Sequence, residues 1–227
     1  AGAAFIYFLG RDMYGARVGM FASLGYALMP AVILSSVVIS TDGVLIPFWC
    51  AALWALWRLR SGQGAWVSAL GLGVAVGLGF LSKYAMLYFA IGIVLVLLID
   101  VQSRRALFTW KGLAALAVAA AIFAPHLAWN AANDFKTVSH TVDNANLGGD
   151  LINPENALTF LIDQLGVFGP ISFLALVFGI FVMRSEDEGI MGRDRWLLCF
   201  ILPVLVIILA QAVLSRANAN WAATAYP

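Results

Sequence analysis

The sequence predicts an all-α fold, a polytopic bundle of transmembrane helices. Three observations carry that reading. Of the 227 residues, 63% are hydrophobic and 11% are charged, whereas a soluble domain is roughly 45–50% apolar and about 25% charged. The apolar residues form continuous runs, without the alternation that a membrane-spanning barrel strand requires. The basic residues gather in alternate connections between the runs, as in helical membrane proteins. So little polar surface cannot cover a soluble globule, and the same composition excludes disorder.

A spanning helix needs about 20 apolar residues. The runs lie at about 1–9, 17–39, 44–57, 65–81, 84–99, 112–129, 157–183 and 196–214, with another beginning near 221. Several are short. The runs 65–81 and 84–99 read as two short helices meeting at Ser82–Lys83, because one straight helix of their joint length would overshoot the bilayer. Gly73 and Gly77 form a GxxxG pair flanked by Gly71 and Gly79, the signature of close helix packing. The chain opens mid-run at AGAAFIYFLG and stops at NWAATAYP, as an apolar segment starts. Residues 1–227 therefore read as one transmembrane domain from inside a longer protein, without the first outside loop or the C-terminal part.

Alternate connections differ in charge. One side holds Arg11, Arg17, Arg58, Arg60, Arg104, Arg105, Lys111, Arg184, Arg193 and Arg195. The other holds Lys83, Lys136 and Arg216, completing all 13 basic residues. The positive-inside rule makes the first side cytoplasmic. Its loops, RLRSGQG, QSRR and RSEDEG, read as topology anchors. A net charge of +1 implies no nucleic-acid partner. Cys50 and Cys199 lie inside apolar runs and point to neither a disulfide nor a metal site.

The outer side carries the unusual chemistry. Lys83 interrupts a long uncharged stretch, and an ionisable residue at such a place is a functional candidate, with a snorkelling helix-end lysine as the plain alternative. Asp42, in ISTDG, either caps the helix that begins near Val44, with Ser40 and Thr41 assisting, or supplies a carboxylate for proton transfer, sugar contact or cation binding. His126 and Asn130, in PHLAWN, sit near an outer helix end, where a satisfied interfacial histidine and a helix-terminating asparagine are the plain alternatives to a site. Arg216 suits bidentate phosphate contact, with a loop arginine at a lipid headgroup as the plain alternative. A polar loop at about 130–156 is long enough to bind or cover something. His140 and Asp143 are spaced three apart within it, but no third ligand stands in register. Tryptophans 49, 54, 57, 66, 110, 129 and 196 read as an interfacial belt, and only Trp221 is singled out. No nucleotide-binding loop or serine-hydrolase elbow occurs.

In order along the chain stand S-T-D after a Pro-containing apolar run, then L-S-K-Y, then P-H-L-A-W-N, then R-A-N-A-N-W with A-Y-P. This series resembles the bacterial membrane glycosyltransferases of family 39, the dolichyl-phosphate-mannose protein mannosyltransferase-like group that includes aminoarabinose transferases. The resemblance implies a GT-C fold in a bacterial inner membrane, with the active site facing the periplasm. It implies transfer of a sugar from a polyprenyl-phosphate donor to a lipid, glycan or protein acceptor. Asp42 matches the family's later outside aspartate, and Lys83, with Tyr84 beside it, matches its lysine near the donor phosphate. Arg216, Asn220 and Trp221 match a C-terminal motif, and His126 and Asn130 join the substrate-binding set. The family's principal catalytic aspartate belongs to a first outside loop, upstream of Ala1. The resemblance leaves room for a divalent cation, although no metal motif is present and no cofactor is assigned.

The competing reading is a polytopic transporter or lipid flippase without glycosyl transfer. It calls for polar residues at midplane and inverted repeats. Here no repeat is visible, and the polar residues gather on one face. A purely structural membrane subunit is the third reading, and Lys83 and the long outer loop argue against it.

Overall fold

A computed structural model describes residues 1–37, 40–145, 152–182 and 188–227. Among these residues every regular element is helical. In order they are α1 (Gly2–Tyr14), α2 (Ala16–Ala27), α3 (Pro30–Val37), α4 (Thr41–Arg60), α5 (Ala65–Ser82), α6 (Leu87–Ile99), α7 (Val101–Leu107), α8 (Trp110–Ala132), α9 (Lys136–Ala145), α10 (Pro154–Val167), α11 (Pro170–Val182) and α12 (Glu188–Leu214). Short 3-10 turns cover Tyr84–Met86 and Ala219–Ala225. Among the described residues α4, α5, α8 and α12 are long and apolar enough to cross a membrane, and two bent pairs raise the count to 6.

Two apolar runs do not form the single helices their lengths invite. The run 17–39 divides into α2 and α3, of 12 and 8 residues. Pro30 is the cause: it has no N–H to give and its ring crowds the carbonyl of Tyr26, so it ends one helix and starts the next. The run 157–183 also breaks, and α10 meets α11 at 114°. Gly169 sits at φ 90, a left-handed conformation open to glycine, and Pro170 follows as the first residue of α11. The N–H of Asn153 donates to the carbonyl of Val213 at 2.6 Å, and Gln164 donates to the carbonyl of Ala219 at 3.2 Å. Thus α10 stays beside the C-terminal end of α12 and the stretch after it, and α11 turns away.

The break expected at Ser82–Lys83 is present. Lys83 is extended at φ −165, ψ 139 between α5 and the 3-10 turn that leads into α6. The glycine seam packs α5 against α8. A Cβ on Gly73 would meet the Ala115 carbonyl at 2.5 Å, and one on Gly77 would meet Ile122 Cβ at 2.8 Å. Gly79 faces Met86, whereas Gly71 faces open space and takes no part in the seam.

The core runs along α4. Leu45, Trp49, Cys50, Ala52, Leu53 and Leu56 are buried there. Trp49 meets Phe89 edge-on at 5.1 Å, Phe89 meets Phe200 at 4.9 Å, and Trp57 meets Trp196 at 5.3 Å. These rings tie α4, α6 and α12 into one column, in geometries that favour the aromatic quadrupoles. Trp49, Trp57 and Trp196 are thus core residues, which corrects their assignment to an interfacial belt. Trp66, Trp110 and Trp129 are exposed. Cys50 and Cys199 are buried and free.

The basic loops expected to be plain anchors also hold structural contacts. Arg60 grips Asp100 with two bonds of 2.8 and 2.9 Å, and Asp100 also accepts from the Ser103 N–H, capping α7. Arg184 lies outside the described residues.

Candidate functional site

The first turn of α4 sets the site. Ser40, not Asp42, is its N-cap, with Oγ accepting from the Gly43 N–H at 3.2 Å. Asp42 falls one residue inside the helix, and its carboxylate is free to face the bundle. It is buried, at 9% exposure. Lys83 Nζ donates to Asp42 Oδ1 at 2.7 Å, and Asn220 Nδ2 donates to Oδ2 at 2.6 Å. Both carboxylate oxygens are therefore engaged, one by a cation and one by an amide. The extended conformation of Lys83 lets its side chain leave the helix axis toward α4.

Tyr84 starts a second cluster one peptide bond away. Its Oη shares hydrogen bonds with His126 Nε2 at 2.8 Å and with Thr137 Oγ1 at 2.7 Å. Asn130 Nδ2 lies 3.3 Å from that Oη and 3.0 Å from His126 Nε2. Thr137 Oγ1 and its backbone N–H both donate to Asn130 Oδ1. Asn130 is 1% exposed, so this many partners is what its amide needs to be satisfied. His126 and Asn130 come together because they are four apart on α8 and so share one face.

Thr137 was not among the residues singled out from the sequence. It belongs to the polar stretch 130–156, but a single threonine seven residues after Asn130 carries no pattern. It is brought back by the tight turn after α8, where Asp134 and Phe135 have φ 55 and φ 51. That turn starts α9, so the stretch read as a loop is helical over Lys136–Ala145, while residues 146–151 lie outside the described residues.

The structure gathers Asp42, Lys83, Tyr84, His126, Asn130 and Asn220. It leaves Trp221 half-buried against the hydrophobic core. Arg216 is exposed, four residues before Asn220. His140 bonds Asn144 on the exposed face of α9, and Asp143 is exposed beside them. No group of three His, Cys, Asp or Glu side chains that could hold a metal occurs among the described residues.

A paired cation and carboxylate, supported by an amide and backed by a Tyr–His–Asn–Thr network, can bind an anionic oxygen and accept a proton from a hydroxyl. The family profile described as dolichyl-phosphate-mannose-protein mannosyltransferase matches residues 1–129. The chain is 39% identical over 204 residues to the lipid A galacturonosyltransferase RgtD of Rhizobium johnstonii, covering 88% of this chain and 41% of that protein. It is 38% identical over 136 residues to the lipopolysaccharide core galacturonosyltransferase RgtA of the same organism, covering 57% of this chain and 26% of that protein. The chain thus spans less than half the length of these relatives. No solved structure matches.

Proposed function

This chain belongs to the dolichyl-phosphate-mannose-protein mannosyltransferase family, and from that membership we propose that it forms part of an integral membrane glycosyltransferase. Its donor is a uronosyl group on a polyprenyl phosphate, and its acceptor is a hydroxyl of lipid A or of a lipopolysaccharide core. The site faces the periplasm from a bacterial inner membrane. The relatives' names support the sugar and the acceptor class, and the family supports the lipid-linked donor.

The Lys83–Asp42 pair carries the reading. In the reaction the acceptor oxygen forms a bond to the anomeric carbon. The bond from that carbon to the phosphate oxygen breaks, and polyprenyl phosphate leaves with the electron pair. The acceptor's proton passes to a carboxylate; the family resemblance puts the principal one upstream of Ala1, and Asp42 is the carboxylate that this cluster supplies beside it. Lys83 meets the charge that grows on the phosphate, from a partly buried position beside Asp42. Before the donor arrives, Asp42 holds Lys83. The phosphate then competes for the ammonium and frees an oxygen of Asp42.

The test is transfer in proteoliposomes containing the whole protein, a polyprenyl-phosphate galacturonate donor and a lipid A acceptor. A new glycosidic bond is expected, and Lys83→Ala or Asp42→Asn should reduce its rate by about 10²-fold or more. Donor crossing the bilayer without a new bond would overturn the reading in favour of transport.

A further inference from the structure

A groove of about 600 Å³ runs along one face of α4, between α1 and α5. Phe5 of α1, Phe48, Ala51 and Ala55 of α4, and Gly71 and Val74 of α5 line it. Gly71 keeps it open, since a Cβ there would meet nothing within 4 Å. The lining is apolar except at one end, where Arg58 and Ser68 stand. Arg58 and Phe48 are ten residues apart on α4, about 15 Å at 1.5 Å per residue. That is the depth of one leaflet of a hydrocarbon core about 30 Å thick.

Arg58 holds its charge in an unfavourable place. Its guanidinium lies over the Trp54 ring, 5.0 Å from the centroid, and Trp54 Nε1 is fixed by a 3.0 Å bond to Asp12. From there the guanidinium reaches the start of α5: a Cβ on Gly64 would stand 3.1 Å from Arg58 Nη2. No side chain caps α5, and its first turn holds no acidic residue. Ser68 Oγ donates to the Gln63 carbonyl at 2.8 Å. A helix N-terminus carries partial positive charge, so it repels the guanidinium unless an anion lies between them. Among the described residues no carboxylate pairs with Arg58. Its Nε is buried without a partner. By contrast Arg11 pairs with Asp12, Arg60 with Asp100, and Arg104 and Arg193 bond backbone carbonyls.

We propose that this groove binds an anionic phospholipid, its phosphate between Arg58 and the N-terminus of α5 and one acyl chain along Gly71 and Phe48. The lipid comes from the leaflet on the basic side of the chain. The guanidinium fork and the N–H groups that open α5 suit phosphate oxygens. A headgroup of net negative charge neutralises both, whereas a zwitterionic one brings its own ammonium into the same positive field. Trp66, exposed at the start of α5, stands where tryptophan meets the headgroup layer. The site is distinct from that of Lys83. Asp42 and Arg58 are 16 residues apart on α4, about 24 Å, so a phosphate at Arg58 is not one held by Lys83. The glycosyltransferase reading is not among its premises.

The whole protein, stripped of lipid in detergent, is titrated with dioleoyl phosphatidylglycerol or dioleoyl phosphatidylcholine. Native mass spectrometry counts the bound lipid, and melting temperature is followed beside it. The wild type should retain phosphatidylglycerol roughly tenfold or more over phosphatidylcholine and melt higher in its presence. Arg58→Gln should weaken phosphatidylglycerol binding by roughly 10- to 100-fold and bring the two lipids within about threefold of each other. Arg105→Gln makes the same charge change on the exposed face of α7 and should leave the preference intact. Gly71→Phe fills the groove and should reduce phosphatidylglycerol retention, while its lipid-free melting stays near that of the wild type. Equal retention of both lipids by the wild type overturns the proposal, as does an unchanged preference in Arg58→Gln or an equal loss in Arg105→Gln. A Gly71→Phe protein that melts far lower without lipid also overturns it, because another part of the whole chain then fills the groove. Polyprenyl phosphate displacing phosphatidylglycerol from the wild type but not from Arg58→Gln would assign the groove to that lipid instead. Transfer enters none of these readouts, so this proposal and the glycosyltransferase reading fail separately.

Discussion

Asn220 donates a 2.6 Å hydrogen bond to Asp42 although 178 residues separate them. The stretch after α12 thereby closes on the first turn of α4 and fixes the carboxylate from the side opposite Lys83. A hydrogen bond to a charged group contributes about 1.5–3 kcal/mol. Asn220→Ala should therefore slow transfer by roughly 10- to 100-fold. A steady-state assay checks this, with elution as a monodisperse protein showing that the fold is retained.

Lys83 is the one cation touching Asp42 among the described residues. Removing it leaves a buried carboxylate without its counter-charge. Lys83→Ala should lose both activity and stability, whereas Lys83→Met with Asp42→Asn should regain stability and remain inactive. Thermal melting of the single and double variants, read beside transfer rates, separates the two effects.

Thr137 joins Tyr84 to Asn130 through its hydroxyl. Thr137→Val keeps the shape and deletes the link, and should lower kcat by about tenfold with KM nearly unchanged, as one lost hydrogen bond in a positioning network would. Thr137→Ser should restore the rate. A loss confined to KM would show that Thr137 meets substrate directly.

The glycine seam makes a sharp contrast within one helix. Gly73→Val and Gly77→Val place carbon atoms where α8 already stands, and should destabilise by about 1–3 kcal/mol or more. Gly71→Val points into open space and should be tolerated. The yield of folded protein in detergent and its melting temperature measure the difference.

Asp100 links Arg60 to the cap of α7. Asp100→Ala removes two interactions at once and should cost about 2–4 kcal/mol, with transfer chemistry intact in the protein that remains folded. Melting temperature and activity per folded molecule give the two readouts.

The helical class, the break at Lys83 and the glycine seam were legible because each follows from local pattern: run length, an isolated charge, and small residues four apart. Asp42, Lys83, His126 and Asn130 were legible because polar groups are costly in an apolar chain and so stand out. The two split runs were less so, since hydropathy averages over Pro30 and Gly169–Pro170. The core tryptophans were misplaced because segment ends in sequence are not always interfaces in space. The Asp42–Asn220 contact and the place of Thr137 depend on how distant helices dock, which no window of sequence contains.

Lys83 and Tyr84 are neighbours, yet each anchors a different network. The peptide bond between them is a mechanical joint. A change in the Tyr84 ring's contacts with Thr137 or Asn130 would pass through it to the ammonium at Asp42. Substitutions at Thr137 and at Asn220, on opposite sides of it, should therefore give a combined loss that differs from the product of the separate ones. Such non-additivity would mark the two clusters as one thermodynamic unit joined through the extended Lys83.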